Sequence, residues 1–201
     1  MFTAPNGKSC FLVALEGADR LGKATQAQLL EEGLNANGHK ATVEEIPYDD
    51  DVTHPEIYRM LKDGSVNLEP AVLQTLHAVN RRYFQHSFLP TLARHFDVVV
   101  LDRWNLSTRV YGAASGVSEA VTENLLKGIA DPDVVIVLDG QPFPKDGLDV
   151  WEADTEFQRT VRTGYRAWCE RDPHRYVKFD ANGTKMQVHE QILECVLGRL
   201  R

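Results

Sequence analysis

Nothing in the 201-residue sequence is apolar for long enough to cross a membrane as a helix. Its start carries no signal-peptide pattern, and residues 1–9 read as a loose polar leader. Cysteine is scarce. Cys10, Cys169 and Cys195 are odd in number and widely spaced, which excludes a disulfide framework and a zinc-ligand spacing and suits free thiols in a reducing cytoplasm. An excess of basic charge is also missing: 22 Lys and Arg stand against 29 Asp and Glu. The resulting net charge of -7 argues against a general nucleic-acid surface, while leaving room for a local basic pocket that binds a small phosphorylated ligand. No internal repeat, coiled-coil heptad or low-complexity tract occurs. These absences leave one soluble domain, residues 1–201, with ample length for a buried core.

What is present organises around residues 10–26. An apolar strand, Cys10 to Leu15, runs into Glu16, Gly17, four further residues, Gly22 and Lys23, and then into a helix that opens with Ala24-Thr25-Gln26. A strand feeding Gly-x-x-x-x-Gly-Lys and then a helix is the phosphate-cradling loop of P-loop proteins. Gly17 and Gly22 let the backbone bend its N–H groups toward an anion, the helix N-terminus adds its dipole, and Lys23 adds a point charge for β/γ-phosphates. A polyphosphate nucleotide is the expected guest.

The rest of the chain alternates strand and helix. The first helix stops at Asn37-Gly38, and a strand over about Lys40 to Ile46 ends at Pro47. Then come a short helix around Pro55 to Lys62 and a longer one from about Glu69 to His95, kinked or split by Pro90. Phe96 to Leu101 is a Val-rich run of the buried parallel type, with Asp102-Arg103 at its carboxyl end. Residues 117–129 read as helix, Asp133 to Leu138 as an apolar strand, Gln141 to Asp154 as a mobile loop, and Thr155 to Arg171 as helix. Tyr176 to Phe179 is a short strand and Thr184 to Leu200 the closing helix. This rhythm predicts an α/β fold, a doubly wound parallel sheet with helices on both faces, and places ligands at the carboxyl ends of its strands.

Phosphoryl transfer rests on positioning and on cations around the transferred group. Lys23 and the loop amides suit the donor phosphates, and Arg20 suits the transferred group. Arg103 suits a bidentate grip on an acceptor phosphate, and Asp102 suits a magnesium ion oriented through water. Taken alone, Asp102-Arg103 also reads as a strand-end ion pair, and Arg159, Arg162 and Arg166 as a solvated helix face.

Four ordered stretches carry a family resemblance: Glu16 to Gln26; Asn80-Arg81; Asp102-Arg103 with Leu106-Ser107-Thr108 and Tyr111; and Phe157 with Val161-Arg162, Gly164 and Tyr165. Together they resemble the thymidylate kinases over most of the chain. The resemblance implies that Gly17, Gly22, Lys23, Ala24, Thr25 and Arg162 meet the ATP donor. It implies that Asp19 accepts a hydrogen bond from the acceptor sugar's 3′-hydroxyl, which favours a deoxynucleotide. His77, Arg81, Arg103, Ser107, Arg109 and Tyr111 would complete the acceptor site, with a segment over about 47–95 holding the acceptor and a lid at about 141–154. Departures accompany it. Ala24 stands where a Ser or Thr usually ligates magnesium, Asp49 near where an Arg grips the acceptor phosphate, His77 where an aromatic stacks on the base, and Arg109 where a neutral residue is usual. The expected enzyme is a cytoplasmic kinase, a homodimer by resemblance, that uses ATP and Mg2+ to convert a pyrimidine deoxynucleoside monophosphate to the diphosphate. The acceptor would be thymidylate or a 5-substituted deoxyuridylate. Its partners are small-molecule nucleotides, without nucleic acid or membrane. A deoxynucleoside kinase and a nucleotide-binding module with weak turnover are the alternatives.

Overall fold

Three of the apolar runs become strands that are buried along almost their whole length, and the sheet is built outward from them. The computed structural model describes residues 1–4, 7–62, 69–144 and 154–200. In chain order the elements are β1 (Phe2–Thr3), β2 (Ser9–Gly17), α1 (Lys23–Ala36), β3 (Ala41–Glu45), α2 (His54–Lys62), α3 (Pro70–Ser87) and α4 (Leu89–His95). They continue with β4 (Val98–Asp102), α5 (Asn105–Ala114), α6 (Glu119–Leu126), β5 (Val134–Asp139), α7 (Thr155–Arg171), β6 (Tyr176–Asp180) and α8 (Lys185–Arg199).

The sheet runs β3-β4-β2-β5-β6, all parallel, with β1 added antiparallel to the start of β2. β2 is central. It pairs with β4 from Phe11↔Val98 to Leu15↔Asp102 and with β5 from Val13↔Val134 to Gly17↔Leu138. Covered on both faces, β2, β4 and β5 hold the core as continuous Val, Ile and Leu runs. Helix α1 packs on β2, β3 and β4 and against α8, while α4, α5 and α7 meet β2, β4 and β5. The chain leaves β2 to one side for β3 and β4, then crosses to the other side for β5 and β6. The carboxyl end of β2 is therefore a topological switch point, where α/β sheets open a crevice for ligands.

Two expectations need correction, and a third is met in detail. Residues 1–9 are not wholly a loose leader: Phe2 and Thr3 pair with Cys10 and Ser9, and the terminal ammonium meets Asp133. The long helix is split at Pro90 as expected, α3 ending at Ser87 and α4 beginning at Leu89 with Pro90 in its first turn. Proline is tolerated only in a first helical turn, so Pro90 sits at the start of a new helix. Residues 105–114, for which no helix was expected, form α5. Among the described residues no helix is long and apolar enough to cross a membrane.

Candidate active site

Gly17 ends β2 at φ 140°, where a Cβ would stand 2.5 Å from the Leu138 carbonyl oxygen. Only glycine lets the chain leave the sheet so close to β5. Arg20 (φ 61°) and Gly22 (φ 80°) complete the bend into α1. No side chain caps that helix, which leaves its first amides to an anion. Lys23 is buried, and its ammonium donates to the Ala18 carbonyl at 2.7 Å, crossing the loop it closes. Burial and the Arg103 charge lower its pKa to about 8, against the opposing pull of Asp19, Asp102 and Glu16.

A cavity of about 390 Å³ opens over this loop. Its walls include Arg20, Lys23, Ala24 and Thr25 from the loop and α1, Glu45 from β3, and Asp102 and Arg103 from β4. Asp102 is 8% exposed, and its Oδ1 has no hydrogen-bond partner. Ala24 offers no side-chain oxygen. Among the described residues no group of three or more His, Cys, Asp or Glu could hold a metal unaided. The spare Asp102 oxygen nevertheless fits a hydrated divalent cation that arrives with a nucleotide.

A second cavity, about 360 Å³, lies alongside. Arg103 (φ 70°) turns the chain out of β4, its N–H donating to Leu15 at 2.9 Å, and its guanidinium pairs with Asp19. Asp19 also accepts from the Tyr111 hydroxyl and from the Gln158 amide, both at 2.8 Å. Burial alone would raise the Asp19 pKa, but the Arg103 and Lys23 charges and these hydrogen bonds hold it down at about 2. At the other end Arg81 is 2% exposed and donates to Thr108 Oγ1 at 2.7 Å, with its Nε unpartnered. His77 Nδ1 is buried and unpartnered as well. Burial, with Arg81 and Arg103 nearby, keeps this imidazole neutral.

The family model described as thymidylate kinase matches residues 15–192. The chain belongs to the thymidylate kinase family. It is 32% identical over 207 residues to the thymidylate kinase of Gluconobacter oxydans, covering 94% of this chain and 95% of that protein. To the thymidylate kinase of Caulobacter vibrioides it is 30% identical, covering 94% of this chain and 97% of that protein. Among solved structures it is similar in fold to the thymidylate kinase from Candida albicans, with TM-score 0.79, 22% identity and coverage of 95% of this chain and 92% of that one. The thymidylate kinase from Ehrlichia chaffeensis gives TM-score 0.75 at 20% identity, covering 94% of this chain and 99% of that one.

Within this thymidylate kinase fold the two cavities bring together most of the residues singled out from the sequence. Lys23, Arg20, Gly22, Ala24, Thr25, Asp19, Asp102 and Arg103 border the first, and Asp19, His77, Arg81, Arg103, Ser107 and Tyr111 the second. Gly17 shapes the loop from beneath. Arg109 is elsewhere. It forms a two-pronged pair with Glu123 at 2.6 and 3.1 Å and lies over the Trp168 ring, so its charge is spent between α5, α6 and α7 rather than beside an acceptor base. Arg162 is half-buried on α7 and borders neither cavity. Most of the expected lid falls on residues 145–153, outside the described residues. Its root is visible: Phe143 N–H donates to the Arg20 carbonyl at 2.8 Å, and the Arg20 guanidinium reaches back to the Phe143 carbonyl at 3.4 Å.

Two acidic residues escaped the sequence reading. Glu45, rather than Asp49, borders both cavities. Asp49 faces a neighbouring hollow with Glu44, Tyr48 and His54. Glu16, fully buried, accepts from the backbone N–H of Trp104 (2.8 Å) and Ser107 (3.0 Å), from the Ser107 hydroxyl (2.6 Å) and from Tyr165 (3.0 Å). It ties the root of the phosphate loop to the Arg103 turn. Asn80 serves the backbone too, exchanging hydrogen bonds with Tyr48 N–H (2.7 Å) and C=O (2.9 Å), and does not border the acceptor cavity.

Proposed function

We propose that this chain transfers the γ-phosphoryl group of ATP to the 5′-phosphate of a pyrimidine deoxynucleoside monophosphate, yielding ADP and the deoxynucleoside diphosphate. The observation that carries this reading is the shared wall. Arg103 leaves β4 in a left-handed conformation between the loop cavity and the acceptor cavity and is tied to Asp19 of the loop, so one guanidinium serves both reactants. Lys23 and the α1 amides hold the β/γ-phosphates, with Gly17, Gly22, Ala24 and Thr25 giving the cradle its shape. Arg20 lies beside them to meet the transferred group. Arg103, with donors beyond those spent on Asp19 and Ser107, grips the acceptor phosphate.

Asp19 accepts three hydrogen bonds within the chain and, as a carboxylate, has capacity for a fourth from a sugar 3′-hydroxyl. Tyr111 and Ser107 fix the geometry of that corner, while His77 and Arg81 bring unpaired polar groups to the base. A base bearing an extra polar substituent would satisfy them, which supports a 5-substituted deoxyuridylate as an acceptor beside thymidylate. Magnesium, held by the nucleotide and by Asp102 through water, neutralises phosphate charge when bound. Arg162, on α7 and bordering neither cavity, is assigned to the donor by the family resemblance alone. The reading treats residues 1–201 as one kinase domain of a cytosolic homodimer, with 47–95 as the acceptor segment and 141–154 as the lid.

The test is a coupled assay with ATP, magnesium and a panel of nucleoside monophosphates. Diphosphate should form from pyrimidine deoxynucleotides and fall by several orders of magnitude in Lys23→Ala, whose fold is retained. No diphosphate from any pyrimidine deoxynucleotide overturns the reading.

A further inference from the structure

Glu45 ends β3 where the two cavities meet. Four residues border both: Asp19, Glu45, Ile46 and Arg103. Asp19 and Arg103 pair with each other, and Arg103 keeps further donors for phosphate. Glu45 is solvent-exposed, and among the described residues its carboxylate has no hydrogen-bond or ion-pair partner. The junction through which a phosphoryl group must pass thus carries one unneutralised carboxylate. A phosphate dianion placed there is repelled. A neutral hydroxyl placed there meets a proton acceptor on one wall and the donor phosphates on the other, the arrangement that general-base catalysis needs.

We propose that Glu45 is a general base and that the chain also phosphorylates the 5′-hydroxyl of a pyrimidine deoxynucleoside. This rests on the assignment of the loop cavity to ATP and its neighbour to the acceptor. The hydroxyl oxygen attacks the γ-phosphorus while its proton passes to the Glu45 carboxylate. The bond from the γ-phosphorus to the β,γ-bridging oxygen breaks, and its electron pair leaves with ADP. The products are ADP and the nucleoside 5′-monophosphate, which the same site then accepts. His77 and Arg81 line the base end of the cavity for either acceptor, so the two reactions differ in what stands before Glu45.

The experiment supplies wild-type protein with ATP, magnesium and either thymidine, deoxyuridine or thymidylate, and separates products by chromatography. It is repeated with Glu45→Gln and Glu45→Asp. Thymidine or deoxyuridine should yield monophosphate and ADP with wild type. Glu45→Gln should lower nucleoside kcat/KM at least a hundredfold while lowering the KM for thymidylate about threefold or more. Glu45→Asp, which keeps a base, should retain more nucleoside turnover than Glu45→Gln. Opposite responses of the two acceptors cannot come from a misfolded variant. Absence of nucleoside product with wild type overturns the proposal, as does a Glu45→Gln variant in which both acceptors decline together or nucleoside turnover is unchanged. If the nucleosides react and thymidylate does not, the monophosphate assignment falls and this one stands.

Discussion

Lys23 titrates in a range that makes its chemistry measurable. Its pKa of about 8 lies below the ordinary lysine value, so its charge costs stability in full below pH 8. That cost is relieved as pH rises from about 8 toward the unfolded value, so this residue's contribution to stability improves with pH there. A polyphosphate beside the ammonium reverses the shift. ATP binding at pH 8.5 should therefore take up on the order of half a proton or more, read by calorimetry in buffers of different ionisation enthalpy. Lys23→Arg should bind without that uptake, because a guanidinium does not titrate in this range. His77 offers a second measurement. Its unpartnered, neutral imidazole is worth about one hydrogen bond to a base that can meet it. His77→Phe should lower the kcat/KM ratio of 5-hydroxymethyldeoxyuridylate to thymidylate about tenfold. An unchanged ratio would make the substitution neutral. Lys23 could be read from its glycine-lysine turn after a strand, and Arg103 because Asp102-Arg103 falls in order with the other stretches that resemble the family, not from the pair alone. Glu45 could not. It adjoins Glu44 at a strand end, and which of the two faces the cavities is settled by register against β4, Glu45 lying opposite Asp102.

At the scale of elements, the informative case is α5. Its residues include Ser107, Thr108 and Gly112, poor helix formers, and Trp104 at its N-cap supplies no side-chain cap. The cap comes from Glu16, 91 residues before Ser107 in the chain, which takes the Trp104 and Ser107 amides. No local pattern could reveal it. Without the helix, faces could not be assigned: each residue turns about 100°, so Ser107, Thr108 and Tyr111 share one side while Arg109 points away to Glu123. Glu16→Ala would strand the Trp104 amide and leave the Ser107 N–H to the Trp104 carbonyl at 3.2 Å and the Ser107 and Tyr165 hydroxyls to each other at 3.1 Å. It should cost about 3–5 kcal/mol and lower the melting temperature by roughly 10 °C in calorimetry. A variant as stable as wild type would show that α5 holds its own N-terminus. The strands, by contrast, were legible because burial on both faces leaves uninterrupted apolar runs.

On the scale of the whole molecule, α3 presents Val72, Val79 and Tyr83 to solvent at 40%, 46% and 39% exposure, a stripe spaced for one helical face. If the proposed homodimer exists and forms through this stripe, Val79→Glu with Tyr83→Glu should reduce the sedimenting mass from twice the 22.6 kDa chain to one copy without loss of helix signal. A dimer mass unaltered in the variant would place the contact on another face, and a single-copy mass for wild type would remove the homodimer. The central position of β2 has a consequence in time as well as in space. The phosphate loop precedes both its flanking strands in the chain, and its root acquires neighbours only when Val98–Asp102 and Val134–Asp139 have docked on either side. Contacts that distant along the chain form slowly, because long loops must close before they are rewarded. During refolding, capture of an ATP analogue should therefore lag behind recovery of the helical circular-dichroism signal. The loop leaves the ribosome before either flanking strand and becomes competent only after both.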